Sequence, residues 1–245
     1  YYNNKIILPE KLYFLFVILY HNLLNHIGKR GLYDYIITYF YVDKKMILKK
    51  HVDNLCSNCL PCLLGKPLIH NYKVASFDTR RLTMPNQMLL VDLLELPTTI
   101  KGGKHGIEAI AVMIDVYSKY VTGYVMQAKT QKCMIHTLTN FFQTCGRYDH
   151  IYTDNASCFK GKDIMEFLME NKVNVIPASA FQSKSHGLVE RRVRSFQEML
   201  RYNNLGKSNL NICHILISCS WALNLIPFKG SVLSPYNPHF SSVRN

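Results

Sequence analysis

A chain of 245 residues, 48% of them hydrophobic, suffices for one sizeable core and a small satellite domain. A net charge of +13 points to a polyanionic partner, nucleic acid first, and the even spread of Lys and Arg speaks against the single basic tail that an anionic membrane surface would select. Three of the eight Cys are bunched at positions 56, 59 and 62 and the rest lie scattered along apolar segments, which reads as a metal knuckle plus buried thiols in a reducing compartment, not as a secreted disulfide framework.

In chain order, residues 1–10 form a short extended lead-in that ends at Pro9. The run Leu12–Tyr20 (LYFLFVILY) is the most apolar in the chain. It is too short to cross a bilayer, and no small-residue cleavage pattern follows it, so a buried helix over 11–25 is expected, with His21 and His26 at its end. Residues 30–40 (RGLYDYIITYF) have a period that fits helix or strand. A helix over 47–55 leads into Cys56-Ser57-Asn58-Cys59, and Gly65, Pro67 and Pro85 punctuate a linker over 65–86. From residue 87 the pattern changes. Strand-length apolar runs at 88–96, 107–116 and 119–126, joined by the Gly-rich turn 101–104 and the tight Tyr117-Ser118 turn, predict an antiparallel meander. A helix over 130–145 ended by Gly146, a strand over 150–153, a helix over 162–171 and a strand over 173–176 follow. A long helix over 187–203 and a last one over 209–225 come next, and Pro227, Pro235 and Pro238 break up the tail. This order predicts an α/β domain with a mixed sheet. The chain starts at Tyr1 and stops in SSVRN, so we expect a piece of a longer polypeptide.

Two groups of residues carry chemistry. The first is His21-x4-His26, then 29 residues, then Cys56-x2-Cys59. Zinc takes four such ligands tetrahedrally, and a small domain with little core of its own gains much of its folding energy from the metal. Two core histidines with two buried thiols are the plain alternative, and Cys62, His51 and His70 are further donors close by. The second group is acidic. Asp92 interrupts the apolar run Met88–Leu94, with Glu95 its nearest competitor, and Asp154 ends the run 150–153. Glu190 opens a basic helix on which Arg194, Gln197 and Arg201 share its face, with Arg191 and Arg192 flanking it. A carboxylate inside a core strand is costly unless a cation repays it. Three converging acids suit a pair of divalent ions about 4 Å apart that handles phosphates, and a basic stripe beside them suits a DNA backbone. Taken singly, Asp154 also fits a turn and Glu190 a surface ion pair with Arg194.

At these residues the chain resembles a retroviral or LTR-retrotransposon integrase, nearest in character to the gypsy and BEL/Pao groups. The His-His-Cys-Cys set is similar to the family's amino-terminal zinc domain. Asp92, Asp154 and Glu190 match its acidic triad, and the 35 residues between the last two match its signature interval. Asp115-Val116-Tyr117-Ser118-Lys119 resembles a structural strand-turn element of the family core, and 187–191 (GLVER) resembles the block around the catalytic Glu. The resemblance implies an α/β fold: a ribonuclease-H-like mixed five-stranded sheet flanked by helices, after a small helical zinc-binding domain. The implied boundaries are 1–64 for the zinc domain, 65–86 for the linker, 87–226 for the catalytic core and 227–245 for the tail.

It further implies a polynucleotidyl transferase that processes the 3′ ends of element DNA and then joins them to target DNA. Mg²⁺ or Mn²⁺, two ions, would sit at Asp92, Asp154 and Glu190, and structural Zn²⁺ at His21, His26, Cys56 and Cys59. Asn155, Arg191, Arg194, Gln197 and Arg201 are the implied DNA contacts, and Ser185 and His186 lie where the family shapes the site. The implied partners are DNA and further copies of the chain, as dimer or tetramer, with no membrane. The implied setting is a Gag-Pol-type polyprotein and the nucleus. Ala156 stands where many relatives have Gly and Gln197 where they often have Lys; the helix before His21 is more apolar than theirs; and their carboxy-terminal DNA-binding domain has no counterpart in these residues. Two alternatives follow from the same features: an integrase-derived DNA-binding or architectural protein with an inactive core, and a ribonuclease-H-type nuclease cutting RNA–DNA hybrids.

Overall fold

The computed structural model describes residues 2, 5–64, 82–95, 107–153, 157–177, 186–204, 212–227 and 233–237. Most of the linker expected over 65–86, the Gly-rich turn 101–104, Ser185 and most of the tail lie outside these residues. Two compact units result, one of residues 1–70 with 195–237 and the other containing residues 71–194. By this grouping residues 195–237 go with residues 1–70, and the division falls inside the long helix at Arg194.

The first unit opens with β1 (Ile6–Ile7), which pairs in parallel with β2 (Phe40–Tyr41). Its helices are α1 (Tyr13–Leu23), α2 (Lys29–Tyr39), α3 (Lys45–Asn58) and α4 (Leu60–Leu64). Residues spaced at one helical turn turn inward: Tyr13, Val17 and His21 on α1, Leu32 and Ile36 on α2, Leu48, Val52 and Cys56 on α3. Each fully buried aliphatic side chain contributes about 1.5–3 kcal/mol. Rings of Phe16, Tyr20, Tyr35 and Phe40 pack at centroid distances of 5.2 to 5.8 Å between neighbours. The outer side of α1 is also apolar, with Leu15, Leu19 and Leu23 exposed. The segment 30–40, ambiguous in sequence, is helix up to Tyr39 and strand thereafter.

The second unit is built on a five-stranded mixed sheet in the order β5-β4-β3-β6-β7. Strands β3 (Met88–Glu95), β4 (Ala109–Asp115) and β5 (Val121–Met126) form the expected antiparallel meander. Strands β6 (His150–Thr153) and β7 (Asn174–Pro177) add in parallel beside β3. Two helices provide the crossovers, α5 (Gln131–Cys145) and α6 (Lys162–Glu170). Leu89, Val91, Ala111, Met113 and Ile151 form one core with Met134, Leu138 and Phe141 of α5 and Ile164 and Leu168 of α6. Thr130 caps α5 by accepting the Cys133 N–H at 3.3 Å. Gly146 ends it at φ 83°, where a Cβ would lie 2.7 Å from Asn86 Nδ2. A long helix α7 (His186–Asn204) and a helix α8 (Ile212–Leu225) follow among the described residues. No described helix is long and apolar enough to cross a membrane.

Candidate functional site

Asp92 is the fifth residue of β3, the central strand of the sheet. Pleating sends Leu89, Val91 and Leu93 into the core shared with α5 and α6, and Asp92 to the opposite face with Leu90. Across the ladder it faces Val112 of β4. Glu95, its competitor in sequence, belongs by the same alternation to the other face; it is mostly exposed and forms an ion pair with Lys129. The two acids are therefore not interchangeable.

On the other flank of β3, Val91 is in register with Thr153 of the parallel strand β6. Thr153 is the last residue of that strand, so β6 ends one step short of the level of Asp92. Asp154 follows Thr153 in the sequence; it and Asn155 lie outside the described residues. Glu190 and Arg201 lie within the described backbone of α7, but their side chains are outside the description. Along α7, Phe196, Met199 and Leu200 are buried, Arg191 and Arg194 are exposed, and Gln197 is half-buried. Helical periodicity puts positions 190, 194, 197 and 201 together on the side away from those buried residues.

Asp115 is a different kind of acid. It is 1% exposed at the end of β4, and its carboxylate accepts the backbone N–H of Ser118 at 2.6 Å and of Asn86 at 2.8 Å. The Ser118 bond closes the turn to β5, and the Asn86 bond ties the end of β4 to the segment that leads into β3. Burial lowers the neighbouring Lys119 ammonium to about 8, with Arg192 reinforcing the effect and Asp115 opposing it. Burial likewise lowers Arg192 to about 10.

In the amino-terminal unit, α1 ends at a turn in which Asn25 and His26 adopt φ 50° and 59° and the His26 N–H bonds the His21 carbonyl at 2.8 Å. That turn brings the His26 ring back beside His21, with His26 Nδ1 3.1 Å from His21 Nε2. Cys59 Sγ lies 3.3 Å from His26 Nδ1 and Cys62 Sγ 3.4 Å from His21 Nε2. The ligand atoms of His21, His26, Cys59 and Cys62 all fall within 4.8 Å of one another. A tetrahedral Zn²⁺ with bonds of about 2.0–2.3 Å sets its ligand atoms about 3.3–3.8 Å apart, so these four donors, with near pairs at 3.1 to 3.4 Å, could hold the ion after small shifts. Burial pushes the His21 imidazole down to about 4, with His26 adding to the shift and a hydrogen bond with the Ile27 backbone opposing it. A neutral ring keeps a lone pair for a metal.

The sequence had placed Cys56, not Cys62, in this set. Cys56 lies in the last turn of α3, on the other side of the His21 ring, with Sγ 3.8 Å from Nδ1. The backbone leaves helical geometry at Cys59, at ψ 113°, and re-enters a helix as α4, which carries Cys62 back to the histidines. Pro61 is the signal in sequence, since it starts helices more readily than it continues them.

Residues 83–183 match the family described as integrase core domain. Among solved structures, the chain is similar to one from the simian T-cell lymphotropic virus intasome, at 17% identity, TM-score 0.61, over 91% of this chain and 72% of that one. The HTLV-2 integrase catalytic core domain, solved with magnesium in a dimeric form, matches at 21% identity and TM-score 0.53 over 65% of this chain and 99% of its own. The catalytic core domain of BIV integrase matches at 18% identity and TM-score 0.54 over 64% and 96%. No curated protein matches the chain in sequence. The mixed sheet with its flanking helices is the integrase catalytic-core fold, of the ribonuclease-H-like kind.

Proposed function

We propose, from the premise that residues 83–183 form an integrase core domain, that this chain cuts and joins DNA in two in-line attacks on phosphorus. In the first, water releases the 3′ ends of element DNA; in the second, the freed 3′-hydroxyl attacks target DNA. The observation that carries the reading is the β3–β6 register. Parallel pairing of Val91 with Thr153 ends β6 one residue short of the level of Asp92, and Asp154 follows Thr153 in the sequence.

Asp92, Asp154 and Glu190 would hold Mg²⁺ or Mn²⁺, since hard carboxylate oxygens suit those ions. When bound, two such ions supply activation of the attacking oxygen and stabilisation of the leaving one. The protein's own part is positioning. A central strand fixes Asp92, and Arg191 and Arg194, with Gln197, Arg201 and Asn155, would contact the sugar-phosphate backbone. No covalent protein–DNA intermediate forms. The amino-terminal cluster would hold structural Zn²⁺. The acting species is a dimer or tetramer on DNA, released from a Gag-Pol-type polyprotein and working in the nucleus.

The test is strand transfer on a labelled duplex, with Mg²⁺ and then Mn²⁺, comparing the parent with Glu190→Gln. Metal-dependent nicked and joined products that vanish in the variant are expected. Tight, salt-dependent binding of DNA without product from either protein would overturn the catalytic reading in favour of an architectural one. Cleavage confined to RNA–DNA hybrids would overturn it in favour of a nuclease.

A further inference from the structure

The third cysteine of the amino-terminal unit has no place in a four-donor set, yet it is buried at 5% exposure against one of the donors. His21 presents its two ring nitrogens to different neighbours. Nε2 faces His26 at 3.1 Å and Cys62 at 3.4 Å, whereas Nδ1 faces Cys56 at 3.8 Å, and the ring also has a hydrogen bond with the Ile27 backbone. A neutral imidazole carries one proton. With a cation on Nε2 that proton sits on Nδ1, directed at the Cys56 sulfur. Histidines on metals are oriented in this way by an acceptor behind the ring, which fixes the tautomer and raises the basicity of the ligating nitrogen.

We infer that Cys56 is a positioning residue for the metal, which accepts the Nδ1–H of His21 from behind and is not itself a ligand. The inference rests on the reading of His21, His26, Cys59 and Cys62 as a zinc site and assigns the residue that aims one of its ligands. Cys56 and Cys62 hold different posts for a geometric reason. Cys56 is still within α3, where its side chain meets the near edge of the ring; Cys62 follows the break at Cys59 and meets the far edge. His26 offers Nδ1 to the cluster, so the two histidines present opposite ring nitrogens, and only His21 needs an acceptor on its Nδ1 side.

The experiment uses the full 245-residue chain, with Co²⁺ as a spectroscopic probe and Zn²⁺ affinity measured against a chromophoric chelator. The intensity of thiolate-to-Co²⁺ charge transfer counts the bound sulfurs. Cys56→Ala is expected to keep the two-sulfur spectrum and to weaken Zn²⁺ binding by about 10- to 100-fold. Cys56→Ser, which retains an acceptor and guards against a folding defect, is expected to lie between the two. Cys62→Ala is expected to lose one sulfur from the spectrum. Unchanged Zn²⁺ affinity in Cys56→Ala would overturn the positioning role while leaving the metal site intact. Loss of a sulfur in Cys56→Ala, with Cys62→Ala keeping two, would overturn it by making Cys56 the ligand. A parent chain that takes up neither metal would instead overturn the zinc reading beneath it.

Discussion

Replacing Asp115 by alanine sets a structural acid apart from Asp92, the acid proposed above as a metal ligand. The Asp115 carboxylate is buried and accepts two backbone N–H groups, from Ser118 at 2.6 Å and Asn86 at 2.8 Å. Its removal leaves the buried Ser118 N–H and the half-buried Asn86 N–H without this acceptor, at about 1–3 kcal/mol each, the Asn86 loss toward the lower figure. It also removes the counter-charge next to the buried Lys119 ammonium. Together these give an expected loss of about 3–5 kcal/mol, near the upper end for single substitutions. At about 2–4 °C per kcal/mol, the melting temperature should fall by roughly 10 °C. Urea unfolding followed by far-ultraviolet circular dichroism measures the loss, alongside Asp92→Asn as control. The control keeps the shape of the side chain, so its stability should stay within about 1 kcal/mol of the parent while strand transfer disappears. Asp115→Ala within 1 kcal/mol of the parent would refute the reasoning, because the two amides would then have other acceptors.

Two further outcomes follow from the geometry. His21, lowered from 6.5 to about 4, binds a proton more weakly in the folded chain than in the unfolded one. Its contribution to the metal-free protein is therefore complete above pH 6.5 and is lost as pH falls toward 4, by about 2–3 kcal/mol in all. Urea titrations of chelator-treated protein at pH 7, 5.5 and 4 check this, and a His21→Phe variant with the same pH slope would sink it. On α7, Arg191→Ala with Arg194→Ala should weaken duplex binding and flatten the dependence of log affinity on log salt by up to about 2, the value for two phosphate contacts. Fluorescence anisotropy across a salt series reads this; an unchanged slope would place the DNA elsewhere.

Much of the second unit was legible because its elements announce themselves by period. Strands β3, β4 and β5 begin within two residues of their expected starts, and Gly146 closes α5 where the sequence placed the stop. Asp92 stood out because an acid breaks an otherwise apolar strand, and the fold puts it on the sheet face opposite Glu95. Other features needed tertiary information. Cysteines 56, 59 and 62 form two Cys-x2-Cys pairs of identical spacing, and only the helix break at Cys59 decides which pair closes on the histidines. Ile36, Ile37 and Thr38 are β-branched residues held in a helix by the burial of Leu32 and Ile36, so local preference pointed two ways. The division of the chain within α7 has no local signal, because the helix runs on through it.

The pairing of β3 with β6 also sets a timetable for synthesis. Strands β3, β4 and β5 are sequence neighbours and can pair as soon as they emerge, whereas β6 must return across the whole of α5 to reach β3. Closing so long a loop comes late and is slow relative to forming a hairpin. During that interval a nascent chain displays the unpaired edge of β3, with its backbone groups open to any other strand. A polypeptide released before residue 153 would keep the meander but leave that edge uncovered, prone to aggregate and without the second strand on which the proposed acidic site relies.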